Sequence, residues 1–241
     1  SSYGKDLRDG TELSGLLRAL ISVPGDYWIR MFYCYPNSFT DEVLEVMASD
    51  PRFCRYLDMP FQHISDPVLK KMNRKITRKE IEATMARVRS QLPDVAWRTT
   101  FIVGFPTETD QDFEELVDFV SEGHFQHLGI FLYSDEDNIR SSKFGDPIPL
   151  SLKEERKNRL MEIQQKISRE HHQKMVGSLQ QVLVGGFSSE TDLLLEGRNQ
   201  YQGPEVDGVV YINEGNATSA GFHQVEITEA HEYDLVGKIL N

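Results

Sequence analysis

The alternation of apolar and polar positions gives the first two-thirds of the chain a helix-and-strand rhythm. Leu13, Leu16, Leu17, Leu20 and Ile21 recur at the three-and-four spacing of one buried helix face, and Pro24-Gly25 ends that helix. The aromatic-rich run from Tyr27 to Tyr35 predicts a strand stopped by Pro36-Asn37. Thr40 then caps a helix carrying Val43, Leu44, Val46 and Met47. A second strand is predicted from Arg55 to Pro60. The loop Gln62-His63-Ile64-Ser65-Asp66-Pro67 leads into a short helix with Val68, Leu69 and Met72. Thr77-x-x-Glu80 has the form of a capping box, and the helix behind it turns Ile81, Met85, Val88 and Leu92 inward. Trp97 to Val103 predicts a buried strand that stops at Gly104-Phe105-Pro106. Thr109 and Asp112 open the next helix, with Phe113, Leu116, Val117 and Val120 on its buried face. His127 to Tyr133 is the fourth strand, followed by the polar loop Ser134 to Asn138.

Short apolar strands alternating with amphipathic helices predict an α/β fold, a parallel sheet with covering helices arranged as an open or partial (β/α) barrel. Four strands are visible, so the barrel is expected to be incomplete at its N-terminal side. Pro147-Ile148-Pro149 breaks the rhythm. Ser151-x-x-Glu154 predicts the cap of a long helix to about His172 with Leu160, Ile163 and Ile167 as its buried stripe. The pattern then changes. Gln180–Val184, Asp192–Glu196, Gly208–Ile212, Gln224–Thr228 and Val236–Leu240 are short strands separated by glycine and polar turns. Five such strands without a helix predict a small all-β barrel, closed or partly open. The expected division is residues 1–174 for the α/β part with its long final helix and 175–241 for the β-barrel.

Composition narrows the partners. The chain of 241 residues carries a formal net charge of −12. From Met175 onward, ten Asp and Glu stand against Arg198 and Lys238, so −8 of that charge lies in the small barrel. Such a surface repels phosphate backbones and favours a basic protein. No run of eighteen apolar residues is present to span a bilayer, and two cysteines, Cys34 and Cys54, suit a reducing cytoplasm. The start at Ser1-Ser2-Tyr3-Gly4 has no initiator methionine and no signal segment, and reads as a cut into a longer protein.

Candidate chemistry gathers at strand ends, where α/β sheets bind ligands. Gly104 follows a strand and lets a flat ligand approach the backbone, while Pro106 removes a donor and ends the strand. On these residues alone, an ordinary strand-to-helix turn is the better reading. Gln62, His63 and Ser65 offer hydrogen bonds to a ribose or amino-acid group, although Ser65 or Asp66 equally serves as a helix cap. His63 lacks a second histidine at ligand spacing, and His171-His172 suit a helix terminus. The carboxylates Asp135, Glu136 and Asp137 share a loop without converging oxygens from elsewhere. Neither a phosphate loop, a nucleophile elbow nor a zinc signature is present.

The ordered set of motifs is more specific than its pieces. Tyr3-Gly4, Leu57-Asp58-Met59-Pro60-Phe61-Gln62-His63, Met72-x-Arg74, Thr100-Phe101-Ile102-Val103-Gly104-Phe105-Pro106-x-Glu108-Thr109 and Phe131-x-Tyr133-Ser134 together resemble the radical S-adenosylmethionine methylthiotransferases. The final barrel resembles their TRAM domain, an OB-like fold. Gln62-His63, Tyr133-Ser134-Asp135-Glu136 and Pro204-Glu205-Val206-Asp207-Gly208-Val209-Val210-Tyr211 resemble the RimO-type branch, which modifies an aspartate of ribosomal protein S-twelve, rather than the branch that modifies an adenosine of transfer RNA. The resemblance implies S-adenosylmethionine as cofactor. Val103-Gly104-Phe105-Pro106 would lie against the adenine, and Gln62 and Ser65 would reach the ribose or methionine end. Arg98 would take the carboxylate, and Phe131 and Tyr133 would line the adenine side. It also implies two [4Fe–4S] clusters in the whole enzyme. The Cys-x-x-x-Cys-x-x-Cys triplet of the family is absent from this sequence and is expected upstream of Ser1, so this stretch alone is expected to hold no cluster and to be inactive.

Overall fold

The computed structural model describes residues 3–4, 6–7, 9–36, 39–136, 141–215 and 220–240. Asp137 and Asn138 of the polar loop, and Asn37, lie outside them.

Four parallel strands, β1 (Ile29–Met31), β2 (Phe53–Asp58), β3 (Ala96–Val103) and β4 (His127–Leu132), pair in that order. Helices α1 (Leu13–Ser22), α2 (Asp41–Ser49), α3 (Asp66–Lys71), α4 (Arg78–Gln91) and α5 (Asp110–Ser121) alternate with them. The sheet is the expected partial barrel. The period of two along β3 separates its faces. Trp97, Phe101 and Val103 enter the main core with Ile81, Met85 and Val88 of α4 and Phe113, Leu116 and Val120 of α5. Ala96, Arg98, Thr100 and Ile102 occupy the other face. Beyond β2 the chain stays beside β3: the Met59 amide donates to the Arg98 carbonyl, and Gln62 exchanges hydrogen bonds with Thr100 and Ile102, all at 2.9 Å. This pairing carries Gln62, in a left-handed conformation (φ 76°), to the end of the sheet.

Several boundaries differ from the sequence pattern, each for a local reason. The aromatic run from Tyr27 to Tyr35 yields only three residues of strand. Tyr33 turns left-handed (φ 54°), its amide donating to the Asp58 carboxylate while the Cys34 amide takes the Asp58 carbonyl. The capping boxes at Thr77–Glu80 and Thr109–Asp112 form as expected. The one at Ser151–Glu154 does not. Helix α6 (Leu150–Gln173) starts after Pro149 without a side-chain cap. Its buried face keeps the helical spacing but not the expected chemistry: Lys153, Arg156, Leu160, Gln164, Ser168 and His172 are buried, whereas Ile163 and Ile167 are half-buried. The polar members bind backbone that the sheet leaves unpaired. Gln164 Nε2 donates to the Phe125 carbonyl at 2.9 Å, Ser168 Oγ to the Gln126 carbonyl at 2.9 Å, and His172 Nδ1 lies 3.0 Å from the His231 carbonyl.

The C-terminal strands β5 (Leu179–Phe187), β6 (Leu195–Asn199), β7 (Val210–Glu214), β8 (Gly221–Ala230) and β9 (Leu235–Ile239) close into a barrel in the order β5-β6-β7-β9-β8. Alternate residues fill it: Val182, Val184, Val210, Ile212, Val225, Ile227, Leu235 and Ile239. The strand expected at Asp192–Glu196 lies three residues later, where Gly197 pairs with Val184.

Where the small barrel meets the concave face of the sheet stands a carboxylate that the sequence reading gave no structural role. Asp207 accepts hydrogen bonds at Oδ2 from the Tyr56 hydroxyl (2.6 Å) and the Gly203 amide (2.7 Å), and its Oδ1 faces Arg98 Nε at 3.4 Å and His127 Nδ1 at 3.5 Å. Burial works against the Arg98 charge, but the hydrogen bond to Asp58 and the charges around it prevail and raise its pKa. Gly203 is required here because a Cβ would stand 2.6 Å from the Tyr56 oxygen. Removing one partner of a buried charged network leaves the others uncompensated. Asp207→Ala is therefore expected to cost about 3 kcal/mol in urea unfolding; a change below about 0.5 kcal/mol, the size of an ordinary surface substitution, would contradict this account of the junction.

Candidate cofactor site at the strand ends

The carboxyl ends of β3 and β4 open on a cavity of about 410 Å³ lined by Gln62, Ile102, Phe105, Leu132, Tyr133, Ser134 and, from the end of α3, Lys71 through Arg74. That size falls in the range of small-molecule sites, roughly 300–1,000 Å³. Phe105 forms its aromatic wall, edge-on to Tyr133 at 5.2 Å and to Phe144 at 6.0 Å. One buried polar group of the lining is unsatisfied, the Tyr133 hydroxyl. A buried hydroxyl without a partner costs about 1–3 kcal/mol, which a ligand would recover. A second cavity of about 440 Å³ lies at the junction with the small barrel, between His127, His172 and Tyr201, away from the strand ends.

The turn Gly104–Asp110 is held in place by α6. Arg156 donates from one guanidinium nitrogen to Glu108 Oε1 at 2.5 Å and from the other to Asp110 at 2.6 Å. Both partners of the Arg156–Glu108 pair are buried. Glu108 Oε2 accepts the Gly104 amide at 3.1 Å and faces His63 Nε2 at 3.4 Å without hydrogen-bond geometry. One turn earlier, Lys153 Nζ donates to the Tyr133 carbonyl at 2.8 Å and to Asp146 at 2.5 Å. Two basic residues of α6 thus fasten the ends of both strands that wall the cavity.

The nine residues singled out from sequence separate in this geometry. Gln62, Phe105 and Tyr133 line the cavity together. Phe131 is exposed on the concave face beside Gly129 and Thr100, outside the lining, and Pro106 is half-buried in the turn. Arg98 is engaged with Asp58 at 3.0 Å and with Asp207 at the junction, and it is not among the residues that line the cavity. Ser65 is buried, donating its hydroxyl to Asp112 and its amide to His63 Nδ1 at 3.0 Å. Burial disfavours the Asp112 charge, but hydrogen bonds from Ser65 and Thr109 prevail and lower its pKa. Ser65 therefore tightens the start of α5, and it is not among the residues that line the cavity. Val103 is fully buried in the helix-side core, and its carbonyl accepts the Tyr133 amide.

Gly104 changes meaning as well. Its amide is spent on Glu108, and the space where a Cβ would stand holds the Lys153 stem, 2.3 Å away. With φ at 75°, the position demands glycine for the fold, before any adenine arrives. The lining residues Lys71, Asn73 and Arg74 and the anchors Glu108, Lys153 and Arg156 were not assigned roles from sequence. Glu108 stood within the quoted motif, and the Lys153–Arg156–Leu160 spacing was the available signal for α6. Gly104→Ala is expected to destabilise the ligand-free protein by about 2 kcal/mol or more, with part of the loss recovered in the Gly104→Ala, Lys153→Ala double variant. Thermal unfolding without cofactor measures this. An unchanged midpoint would return the glycine to a purely ligand-facing role.

Residues 5–120 match the Radical SAM superfamily and residues 176–240 the TRAM domain. Relatives called "Ribosomal protein uS12 methylthiotransferase RimO" align over the whole chain. The one from Geobacter sulfurreducens is 42% identical over 241 residues, 54% of its own length. Those from Bdellovibrio bacteriovorus and Myxococcus xanthus are 47% and 45% identical, over 54% and 50% of theirs. The chain thus spans about half the length of the curated relatives it matches. With the parallel strands β1 to β3 in the first matched segment and a closed five-stranded barrel in the second, the chain belongs to the radical S-adenosylmethionine methylthiotransferases of the RimO type.

Proposed function

We propose that this chain is the cofactor-cradling and TRAM-bearing part of an enzyme that adds a methylthio group to the β-carbon of an aspartate in ribosomal protein uS12. The observation that carries the reading is alignment of the whole chain, at 42–47% identity, with relatives bearing that name. The strand-end cavity suits S-adenosylmethionine: Phe105 and Tyr133 offer aromatic surface to a purine, and the Gln62 side chain and the unpartnered Tyr133 hydroxyl offer hydrogen bonds to its polar edges. Bound there and reduced by one electron, that cofactor supplies the hydrogen-abstracting radical of this family. The protein's own part is to orient the cofactor and exclude water, by means of the wall that α6 fixes.

The residues present do not suit an iron–sulfur cluster. Ligation requires thiolates. Burial pushes the Cys34 thiol up to about 12 and the Cys54 thiol up to about 11, and no group of three His, Cys, Asp or Glu is placed to hold a metal among the described residues. The clusters of the working enzyme are therefore assigned to parts of the protein outside this chain, and the division of this chain itself to residues 1–174 and 175–241. The acidic small barrel, net −8, is assigned to the basic ribosomal protein. No helix among the described residues is long and apolar enough to cross a membrane; the proposed ribosomal substrate is the ground for assigning the reaction to the cytoplasm.

Two measurements test this. The reconstituted full-length enzyme should add one methylthio group to uS12, seen by mass spectrometry at an aspartate; addition to transfer RNA instead would overturn the substrate assignment. Anaerobic reconstitution of residues 1–241 alone should give no [4Fe–4S] absorbance. A stoichiometric cluster would contradict the reading of Cys34 and Cys54.

A further inference from the structure

The left-handed backbone at Tyr33 (φ 54°) is not explained by packing of its ring. Among the described residues, the others besides glycine that take this conformation are Gln62, Asn73 and Glu205. Asparagine tolerates it, Glu205 lies in a turn of the small barrel, and Gln62 is carried by it to the cavity lining. Tyr33 is the bulky member of the set, for which the conformation is an outlier. Its side chain is nonetheless out in the open. Tyr33 is 74% exposed, and among the described residues its ring meets one other, Phe32, at 6.2 Å.

A buried carboxylate holds the backbone instead. Asp58, with no exposure, accepts the Tyr33 amide on Oδ2 at 2.8 Å and Arg98 on Oδ1 at 3.0 Å. The Asp58 carbonyl accepts the Cys34 amide at 2.9 Å, and Cys34 and Pro36 beyond it are buried. The exposed ring thus stands on a pinned loop. Strain that the surrounding structure keeps in place gathers at functional positions.

The position in the sheet decides what the ring can meet. The four strands are parallel, so β1 ends on the same side as β3 and β4. It lies two strands from β3, about 10 Å at ordinary strand spacing. Tyr33 is not among the residues that line the strand-end cavity, so a cofactor seated there leaves the ring to a larger molecule approaching the same rim. A tyrosine ring is a rigid, amphipathic contact surface, and its face attracts lysine and arginine. The net charge of −12 favours a basic partner.

We propose that Tyr33 is a substrate-contacting residue: its ring, held out from the end of β1 by Asp58, receives a basic segment of the substrate protein. The inference rests on the functional reading above, which supplies a ribosomal protein as that substrate.

The test uses the full-length, cluster-reconstituted enzyme and intact uS12. Tyr33→Gly removes the ring and suits the backbone, so the thermal unfolding midpoint should stay unchanged or rise. KM for uS12 should rise roughly tenfold in that variant, while S-adenosylmethionine affinity by calorimetry stays the same. Tyr33→Phe keeps the ring and should hold KM within about threefold of the unsubstituted value. An unchanged KM for uS12 in Tyr33→Gly overturns the assignment, and the functional reading stands as long as the unsubstituted enzyme modifies uS12. A lower midpoint in Tyr33→Gly would show the ring packed against another part of the whole enzyme and would overturn the assignment too. So would a Tyr33→Phe variant no better than Tyr33→Gly. An unsubstituted enzyme that leaves uS12 unmodified overturns the reading and the inference together.

Discussion

A single buried carboxylate, Glu108, ties the strand-end turn to the rest of the molecule. It receives the Gly104 amide on one oxygen and the Arg156 guanidinium on the other, with no exposure of its side chain. A buried ion pair is weak evidence of net stabilisation, since desolvation offsets much of the attraction. Its consequence here is positional. Leaving either partner alone would strand a charge in the core, so the turn and α6 have one mutual arrangement of low energy. Lys153 extends the constraint to the end of β4 through the Tyr133 carbonyl. The wall of the cavity is therefore built by residues that never face it.

The same device joins the small barrel to the sheet. Asp207 brings together Tyr56 from β2, Arg98 from β3 and His127 from β4; Arg98 and His127 are paired in register, and Tyr56 lies one pair away, opposite Ala96. Arg30 adds hydrogen bonds to the Asn199 and Gln200 carbonyls, and Trp28 packs edge-on to Phe222 at 4.8 Å. The concave face of the half-barrel is thus divided along its length. Its amino-terminal end is filled by the small barrel, and its carboxyl-terminal end is left for a ligand.

The sequence made the architecture legible because its signals are local and periodic. The parallel sheet, the five-stranded barrel and the boxes at Thr77 and Thr109 follow from spacing that a core imposes. The chemistry of α6 was not legible, because a buried face at helical spacing was read as apolar, and its polar residues became meaningful only once the unpaired carbonyls of Phe125 and Gln126 came opposite them. The site was partly legible for a related reason. Strand ends are a general place for ligands, which found Gln62, Phe105 and Tyr133. Distinguishing a ligand contact from an internal partner requires knowing what stands across the gap. Ser65 met Asp112, Gly104 met Lys153 and Arg98 met Asp207, all distant in sequence.

The central claim is that α6 holds the cavity wall through Arg156 and Glu108, and hydrogen exchange reads it directly. With Arg156→Met, the segment from Val103 to Thr109 should exchange at least tenfold faster, equivalent to about 1.4 kcal/mol of lost local stability, while β5 to β9 keep their protection. Unchanged exchange in that segment, with the fold intact, would show that the wall stands without the helix and would contradict this account.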